Sequence, residues 1–188
     1  MVRGKYLLCL TGGCMFARFL ALFLLLIAPP ALARDEAFRF ASIDGGDLVM
    51  DDWRGQPVLV ANTASLCAFT PQYDGLQALY DSYRDRGLVV LAVPSDDFAQ
   101  ELGSEEEVKE FCEINFGLDL PMTEITPVRG RGAHPFYRWL AQEHRVRPRW
   151  NFNKVLIGPE GEFIAHWGSN VPPTSDRITA LIEPLLPR

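Results

Sequence analysis

Residues 57–94 read PVLVANTASLCAFTPQYDGLQALYDSYRDRGLVVLAVP, and this stretch decides the fold. It begins and ends with apolar runs, at 57–62 and 88–94, of the kind found in strands that are buried on both faces of a sheet. Between the two runs, apolar side chains recur with the period of a helix. The stretch therefore predicts a complete β-α-β unit.

The helix inside this unit carries its own start and stop signals. Thr70 can cap it, with Pro71 at the first helical position, where the missing N–H group costs nothing. Gly87 is placed to end it, because glycine readily adopts the left-handed conformation that follows many helices. The loop before this helix contains Cys67, which therefore lies just after a strand and just before a helix.

The rest of the chain predicts further elements around the same sheet. They are, in chain order, a hairpin from residues 38–42 and 47–51, a helix behind the capping box at Ser104 that Gly117 ends, a short helix at 134–142, a hairpin from 154–158 and 162–167, and a last helix capped by Thr174 or Ser175. We predict an α/β sandwich with a central mixed sheet, flanking helices and an N-terminal β-hairpin. The order β-α-β followed by β-β-α resembles the thioredoxin fold.

The first 33 residues predict a cleaved secretory signal peptide. They are basic, contain a ten-residue apolar run at 19–28, and end in the A-x-A pattern of residues 31–33. The apolar run is shorter than the roughly 20 residues that a membrane-spanning helix needs. Residues 34–188 would then form one exported domain, periplasmic or secreted. An uncleaved membrane anchor is the alternative, and Met15 is a second possible start.

Charge and composition narrow the class of protein. The net charge is −6, from 18 basic and 24 acidic residues, which argues against binding to nucleic acid. The hydrophobic fraction of 48% is that of a globular domain with a proper core. Neither feature predicts a stable membrane partner for the mature chain.

Cysteine usage leaves two thiols to explain. Cys9 and Cys14 fall in the predicted signal peptide, so the mature chain keeps Cys67 and Cys112. Two cysteines without C-x-x-C spacing do not make a zinc site, and we predict no metal. In an exported protein they could form a structural disulfide, or Cys67 could be an inert buried residue. A position before a helix instead favours a reactive thiolate, because free backbone N–H groups stabilise the negative charge.

The residues around Cys67 resemble those of a known family. Residues 60–71, VANTASLCAFTP, are similar to the N-V-A-S-x-C-x-x-T segment of glutathione peroxidases. Further blocks match in the same order: a helix at 73–83, the strand at 91–94, FCEINFG at 111–117, HPFY at 134–137 and WNFNK at 150–154. The resemblance covers roughly residues 36–187, and five ordered blocks are far more specific than one motif.

This resemblance implies a peroxidase with Cys67 as the residue that attacks the peroxide. Trp150 and Asn151 match the tryptophan and asparagine of the family's site, and both carry N–H donors for the thiolate and the peroxide. Asp97 stands where the family has a glutamine. A carboxylate there opposes a thiolate, so two outcomes are expected. Either Asp97 is protonated or turned away, and water or Gln100 fills its place, or the site is slower or uses another proton path. On that path, Asp97 would shuttle a proton to the leaving oxygen.

The resemblance also implies how the enzyme is recycled. Cys112 lies in a context similar to that of the resolving cysteine in two-cysteine members, so it would condense with the Cys67 sulfenic acid. A thioredoxin-like reductant, or glutathione, would reduce the resulting disulfide as an external co-substrate, and no bound cofactor is expected. The short segment from 134 to 150 is similar to members without the tetramer segment, which implies a monomer or weak dimer.

Two other functions use the same residues. In the first, an exported thiol oxidoreductase or peroxide sensor passes oxidation from Cys67 to a client protein. In the second, the chain is a non-enzymatic module on the thioredoxin fold with a permanent Cys67–Cys112 disulfide.

Overall fold

The computed structural model of this chain describes residues 38–187. The predicted signal peptide and its cleavage site therefore lie outside the described residues. The described part opens with the predicted hairpin, in which β1 (Arg39–Ala41) pairs antiparallel with β2 (Asp47–Val49).

The centre of the molecule is a four-stranded mixed sheet. Its strands are β3 (Val58–Thr63), β4 (Val89–Pro94), β5 (Lys154–Ile157) and β6 (Phe163–Trp167). Their order across the sheet is β4-β3-β5-β6, with β3 parallel to β4 and antiparallel to β5. Every residue of β3, β4 and β5 is buried, as the continuous apolar runs predicted.

Helices cover the sheet on both faces. They are α1 (Gln72–Tyr83), α2 (Glu105–Phe116), α3 (Pro135–Glu143) and α4 (Asp176–Ile182). Buried side chains of α1, α2 and α4 share one core with Leu59, whereas those of α3 and the hairpin share the other with Val58. Adjacent residues of β3 thus point to opposite cores, as the two-residue period of a strand requires. The predicted α/β sandwich with an N-terminal hairpin is confirmed.

Two of the predicted helix ends are confirmed in detail. Ser104 accepts a hydrogen bond from the Glu107 N–H and caps α2, which ends at Gly117 with a φ of 59°. Gly87, with a φ of 92°, follows a single 3-10 turn that continues α1. Both glycines adopt the left-handed conformation that their positions predicted.

Thr70 differs from the prediction, because its side chain does not cap α1. The helix begins at Gln72, with Pro71 as its N-cap residue and no side-chain cap bond. The Thr70 hydroxyl is instead used within the turn that precedes the helix. A threonine hydroxyl can bond either to the first N–H groups of a helix or to backbone groups of the preceding turn. In this structure the Thr70 hydroxyl bonds to the turn.

None of the helices in the described range 38–187 is both long and apolar enough to span a membrane.

Candidate active site

Cys67 lies in a tight turn between β3 and α1. The Thr70 hydroxyl accepts a hydrogen bond from the Cys67 N–H (3.0 Å) and donates one to the Ala64 carbonyl (2.9 Å). This fixes the turn so that the Phe69 N–H donates to the Cys67 sulfur at 3.4 Å. Cys67 is only 7% exposed, so little water reaches this hydrogen bond. The turn therefore gives the sulfur one backbone N–H donor.

The Trp150–Asn151 segment is held beside this turn by the end of β3. The Asn62 amide donates to the Trp150 carbonyl (3.1 Å) and accepts from the Asn153 N–H (3.1 Å). Between them, Phe152 adopts a left-handed conformation with a φ of 58° and inserts its ring into the core. Such a conformation persists only where the surroundings impose it, so the segment is rigidly positioned.

Gln100 joins the two segments of the site. Its side-chain oxygen accepts a hydrogen bond from the Asn151 amide at 3.1 Å, and its backbone carbonyl accepts from the Leu66 N–H at 2.9 Å. Leu66 directly precedes Cys67 in the chain. Gln100 thus links Asn151 to the cysteine turn, and its side-chain NH2 group keeps two donors for a ligand.

Asp97 does not take the place that the sequence comparison gave it. Its carboxylate accepts hydrogen bonds from the N–H groups of Val128 (2.6 Å) and Arg129 (2.9 Å). Two amide donors offer a carboxylate strong, charge-assisted bonds, which a neighbouring thiolate would not. In the structure Asp97 is thus turned toward the backbone of Val128 and Arg129, and the side chain that bonds to Asn151 is that of Gln100.

The family pattern points to Asp97 before Gln100, although one signal in the sequence identifies Gln100. Gln100 is the only residue with a side-chain amide between β4 and α2. A site that needs an amide donor from this loop therefore has a single candidate. Alignment on the adjacent Phe98 instead pointed to Asp97, three residues earlier.

Glu101 supports the cysteine turn from inside the protein. One oxygen of its buried carboxylate accepts hydrogen bonds from the N–H groups of Ser65 and Leu102, both at 2.9 Å. Burial raises the pKa of Glu101, although these bonds partly oppose that shift. A buried acid thus bonds to the backbone at Ser65, two residues before Cys67.

The mouth of the site is aromatic. Trp150 is 38% exposed, and its ring lies 5.3 Å from the ring of Phe98. The guanidinium of Arg129 lies 4.5 Å from the centre of the same Phe98 ring. Trp150 is therefore placed where an incoming molecule would meet it, and a cation contacts the neighbouring Phe98.

Cys112 lies on α2 and packs into the same core as Cys67. It is only 1% exposed, and this burial raises the pKa of its thiol to about 12. Both thiols are free in this structure. The raised pKa means that the buried Cys112 thiol is protonated at neutral pH.

Within residues 38–187, no cluster of three or more histidine, cysteine, aspartate or glutamate side chains is arranged to hold a metal ion.

Comparison with known proteins gives a consistent picture. A sequence model described as glutathione peroxidase matches residues 36–141 of this chain. The hydroperoxy fatty acid reductase of Synechocystis sp. is 40% identical over 160 residues, which cover 79% of this chain and 94% of that protein. A glutathione peroxidase-like peroxiredoxin of Schizosaccharomyces pombe is 40% identical over 131 residues, covering 67% and 83% of the two chains.

Solved structures agree on the fold. The apo form of Trgpx is similar with a TM-score of 0.61 and 29% identity, covering 81% of this chain and 99% of the other. The thioredoxin domain of a thiol-disulfide oxidoreductase from Bacteroides vulgatus is similar with a TM-score of 0.55. At 15% identity, that second likeness shows the fold alone, and it confirms the predicted thioredoxin-like arrangement.

Proposed function

Because this chain belongs to the glutathione peroxidase family and is a peroxidase, we propose that Cys67 is the thiol that reduces the hydroperoxide. The single observation that carries this proposal is the turn around Cys67, in which the Phe69 N–H donates to the sulfur. Trp150, Asn151 and Gln100 lie on the segments that this turn contacts, and all three offer N–H donors.

In the first step, the Cys67 thiolate attacks the outer oxygen of the hydroperoxide. The O–O bond breaks, a Cys67 sulfenic acid forms, and the inner oxygen takes up one proton and leaves as water or an alcohol. Sulfur is oxidised and the peroxide is reduced by two electrons. Donors from Gln100 and Trp150 would stabilise the charge that develops on the leaving oxygen.

In the second step, the Cys112 thiol attacks the Cys67 sulfenic acid. An S–S bond forms, and water leaves with the sulfenic oxygen. Since Cys112 is buried in α2, this step requires α2 to open locally. The high pKa of the buried thiol has the same consequence, because it keeps Cys112 unreactive until the helix opens.

In the third step, an external dithiol reduces the Cys67–Cys112 disulfide by two thiol–disulfide exchanges and is itself oxidised. We expect a thioredoxin-like protein to serve better than glutathione, since a second cysteine is already present in the chain. The reductant is a co-substrate, and no bound cofactor is required for any of the three steps.

The peroxide itself can be proposed from the relatives. The Synechocystis relative is named for its reduction of hydroperoxy fatty acids. The aromatic mouth formed by Phe98 and Trp150 would suit organic hydroperoxides as well as hydrogen peroxide. We therefore propose both as substrates.

For the place of action, residues 1–33 predict export to the periplasm or secretion. The short segment from 134 to 150 supports a monomer or weak dimer. In that setting the reductant would be an exported thioredoxin-like protein.

Stopped-flow oxidation of residues 34–188 by hydrogen peroxide tests the proposal. We expect Cys67→Ser to abolish the reaction. Cys112→Ser should keep the first oxidation but lose turnover with a thioredoxin-like donor, because the sulfenic acid then has no internal partner. Rapid oxidation of Cys67→Ser would refute the assignment.

The same experiment separates an enzyme from a sensor. A peroxidase turns over continuously with a thioredoxin-like dithiol, whereas a sensor is oxidised quickly and recycled slowly. Turnover that is lost in Cys112→Ser identifies the peroxidase cycle.

A further inference from the structure

Beside the candidate active site lies a cleft of about 420 Å³ that none of the proposed steps uses. It is formed by the loop after Val128 and by the exposed end of α3. Buried apolar side chains form its floor, among them Val128, Ala133 and Tyr137. The cleft thus offers an apolar surface that opens to solvent.

Four arginines surround this floor: Arg129, Arg131, Arg138 and Arg147. All four are exposed, and the structure records no ion pair for any of them within residues 38–187. Arg138 donates one hydrogen bond to the Ala133 carbonyl, and Arg129 lies over the Phe98 ring. The protein as a whole carries a net charge of −6, so four cations without an ion-pair partner around one cleft run against its general charge. Guanidinium groups that have no carboxylate partner attract an anion to a concave surface.

The cleft is physically tied to the candidate active site. The Asp97 carboxylate accepts hydrogen bonds from the backbone of Val128 and Arg129, which line the cleft. Phe98 directly follows Asp97 in the chain. The Phe98 ring contacts both the Arg129 guanidinium, 4.5 Å from its centre, and the Trp150 ring, at 5.3 Å. One aromatic ring is therefore shared by the arginine-lined cleft and the mouth of the site.

We propose that this cleft binds the acid group of an amphipathic carboxylate and selects hydroperoxides that carry such a group. The inference rests on the proposed function and deepens it. The carboxylate would lie among the arginines, the apolar body would cover the floor and pass Phe98, and the hydroperoxide group would reach Cys67. Asp97 takes no part in the proposed chemical steps. It then acts as a positioning residue that keeps residues 128–133, which we call the arginine loop, against the site.

The chemistry of the lining favours this class of ligand over others. Guanidinium groups bind carboxylates through paired, charge-assisted hydrogen bonds, so the acid group supplies orientation. The apolar floor gains nothing from a small inorganic anion, but it would bury part of an acyl chain. A ligand that carries both features uses the whole cleft.

Binding can be measured without any peroxidase activity. Calorimetric titration of Cys67→Ser with decanoate should show binding, whereas the uncharged 1-decanol and the short acetate should bind at least about 10-fold more weakly. The double variant Arg131→Gln/Arg147→Gln should weaken decanoate binding by about 10-fold or more. These two side chains have no recorded hydrogen bond or ion pair within residues 38–187.

A matched control is Arg145→Gln/Arg177→Gln, which removes the same charge from exposed sites outside the cleft. It should bind decanoate as tightly as the parent protein. If the control weakens binding as much as the cleft variant does, the effect is one of general charge and the inference fails. Equal binding of decanoate and 1-decanol also overturns it.

Selectivity is tested by the ratio of kcat/KM for a linoleic acid hydroperoxide to that for its methyl ester. We expect the parent protein to prefer the acid by about 10-fold, and the cleft variant to lose that preference. A ratio near one in the parent protein overturns the proposed selectivity. If the parent protein reduces no peroxide at all but Cys67→Ser binds decanoate through the arginines, the proposed function fails while the binding site stands.

Discussion

Gln100 and Asp97 lie three residues apart in one loop, yet their side chains hold different parts of the molecule together. Gln100 bonds to Asn151 in the candidate site, and Asp97 bonds to the backbone of the arginine loop. A difference in hydrogen-bonding capacity explains the division. An amide both donates and accepts, as a peroxide site requires, whereas a carboxylate only accepts and is best placed on N–H groups.

Replacement of Gln100 tests this division of roles. Gln100→Glu keeps an acceptor for Asn151 but removes the NH2 donors and adds a negative charge. We expect the rate of Cys67 oxidation by hydrogen peroxide to fall by about 100-fold, the usual effect of losing one donor to developing charge. The oxidation rates of Gln100→Glu and Asp97→Gln, measured by stopped flow, should be compared with that of the parent protein. If Asp97→Gln accelerates the reaction and Gln100→Glu leaves it unchanged, Asp97 is the site residue after all.

Thr70 is the second residue whose role can be isolated. Thr70→Val keeps the shape of the side chain but leaves the Cys67 N–H and the Ala64 carbonyl without their buried partner. We expect the free energy of unfolding to fall by about 2 kcal/mol, measured by urea denaturation. Thr70→Ser retains the hydroxyl and should lose much less. Equal losses in both variants would mean that the methyl group, not the hydroxyl, stabilises the turn.

At the scale of single elements, α2 controls access to Cys112. The helix is capped by Ser104, whose hydroxyl accepts from the Glu107 N–H, and Cys112 is buried on its inner face. If the disulfide forms only when α2 opens, then a less stable α2 should allow faster resolution of the sulfenic acid.

Ser104→Ala removes that cap and costs about 1 kcal/mol of helix stability. We expect the disulfide to form up to about fivefold faster after oxidation, with the first oxidation unchanged. Mass spectrometry of quenched samples gives both rates. The matched control is Ser175→Ala, because Ser175 precedes α4 without a side-chain cap bond. A slower second step in Ser104→Ala would show that Cys112 reacts from within the intact helix.

Strands and helices were predictable because their signals are local. The buried strands β3 and β4 follow from continuous apolar runs, and α2 follows from its cap and its terminal glycine. The site was predictable only as far as motifs reach, which is Cys67, Trp150 and Asn151. The hydrogen bonds that assemble it join residues far apart in the chain, such as Asn62 with Trp150. No local pattern encodes such a pair.

At the scale of the whole molecule, one buried cation joins a strand, a helix and the loop before α4. Lys154 begins β5, is fully buried, and donates to the Gln72 side chain at the start of α1 and to the Val171 carbonyl at 2.8 Å. Burial lowers the pKa of Lys154 to about 7. The folded protein thus releases a proton near neutrality that the unfolded chain would hold until about pH 10.

Stability should therefore depend on pH through Lys154. Between pH 7 and 10 the unfolded state binds more protons than the folded state, so this group makes the free energy of unfolding rise with pH. Below pH 7 the Lys154 amine is protonated in both states, so the folded protein bears the full cost of burying its charge. We expect a rise on the order of a few kcal/mol over this range.

Lys154→Met measures that contribution, since it keeps the length of the side chain and cannot be charged. Urea denaturation of both proteins at pH 7 and pH 9.5 should show a smaller increase with pH in the variant. The Cys112 thiol has the opposite effect above pH 9. There the unfolded chain loses the thiol proton while the folded protein keeps it, so this group lowers the free energy of unfolding as the pH rises. If both proteins show the same slope, Lys154 is charged throughout.

The order of strands in the sheet has a consequence for how the protein is made. The central strand β3 is complete early in synthesis, but its partner β5 comes from near the end of the chain, with Val58 opposite Ile157. Pairings between such distant segments form late and slowly. A nascent chain still attached to the ribosome therefore carries Cys67 before Trp150 and Asn151 have been made, so for part of synthesis this thiol has none of the neighbours that the second half of the chain brings to it.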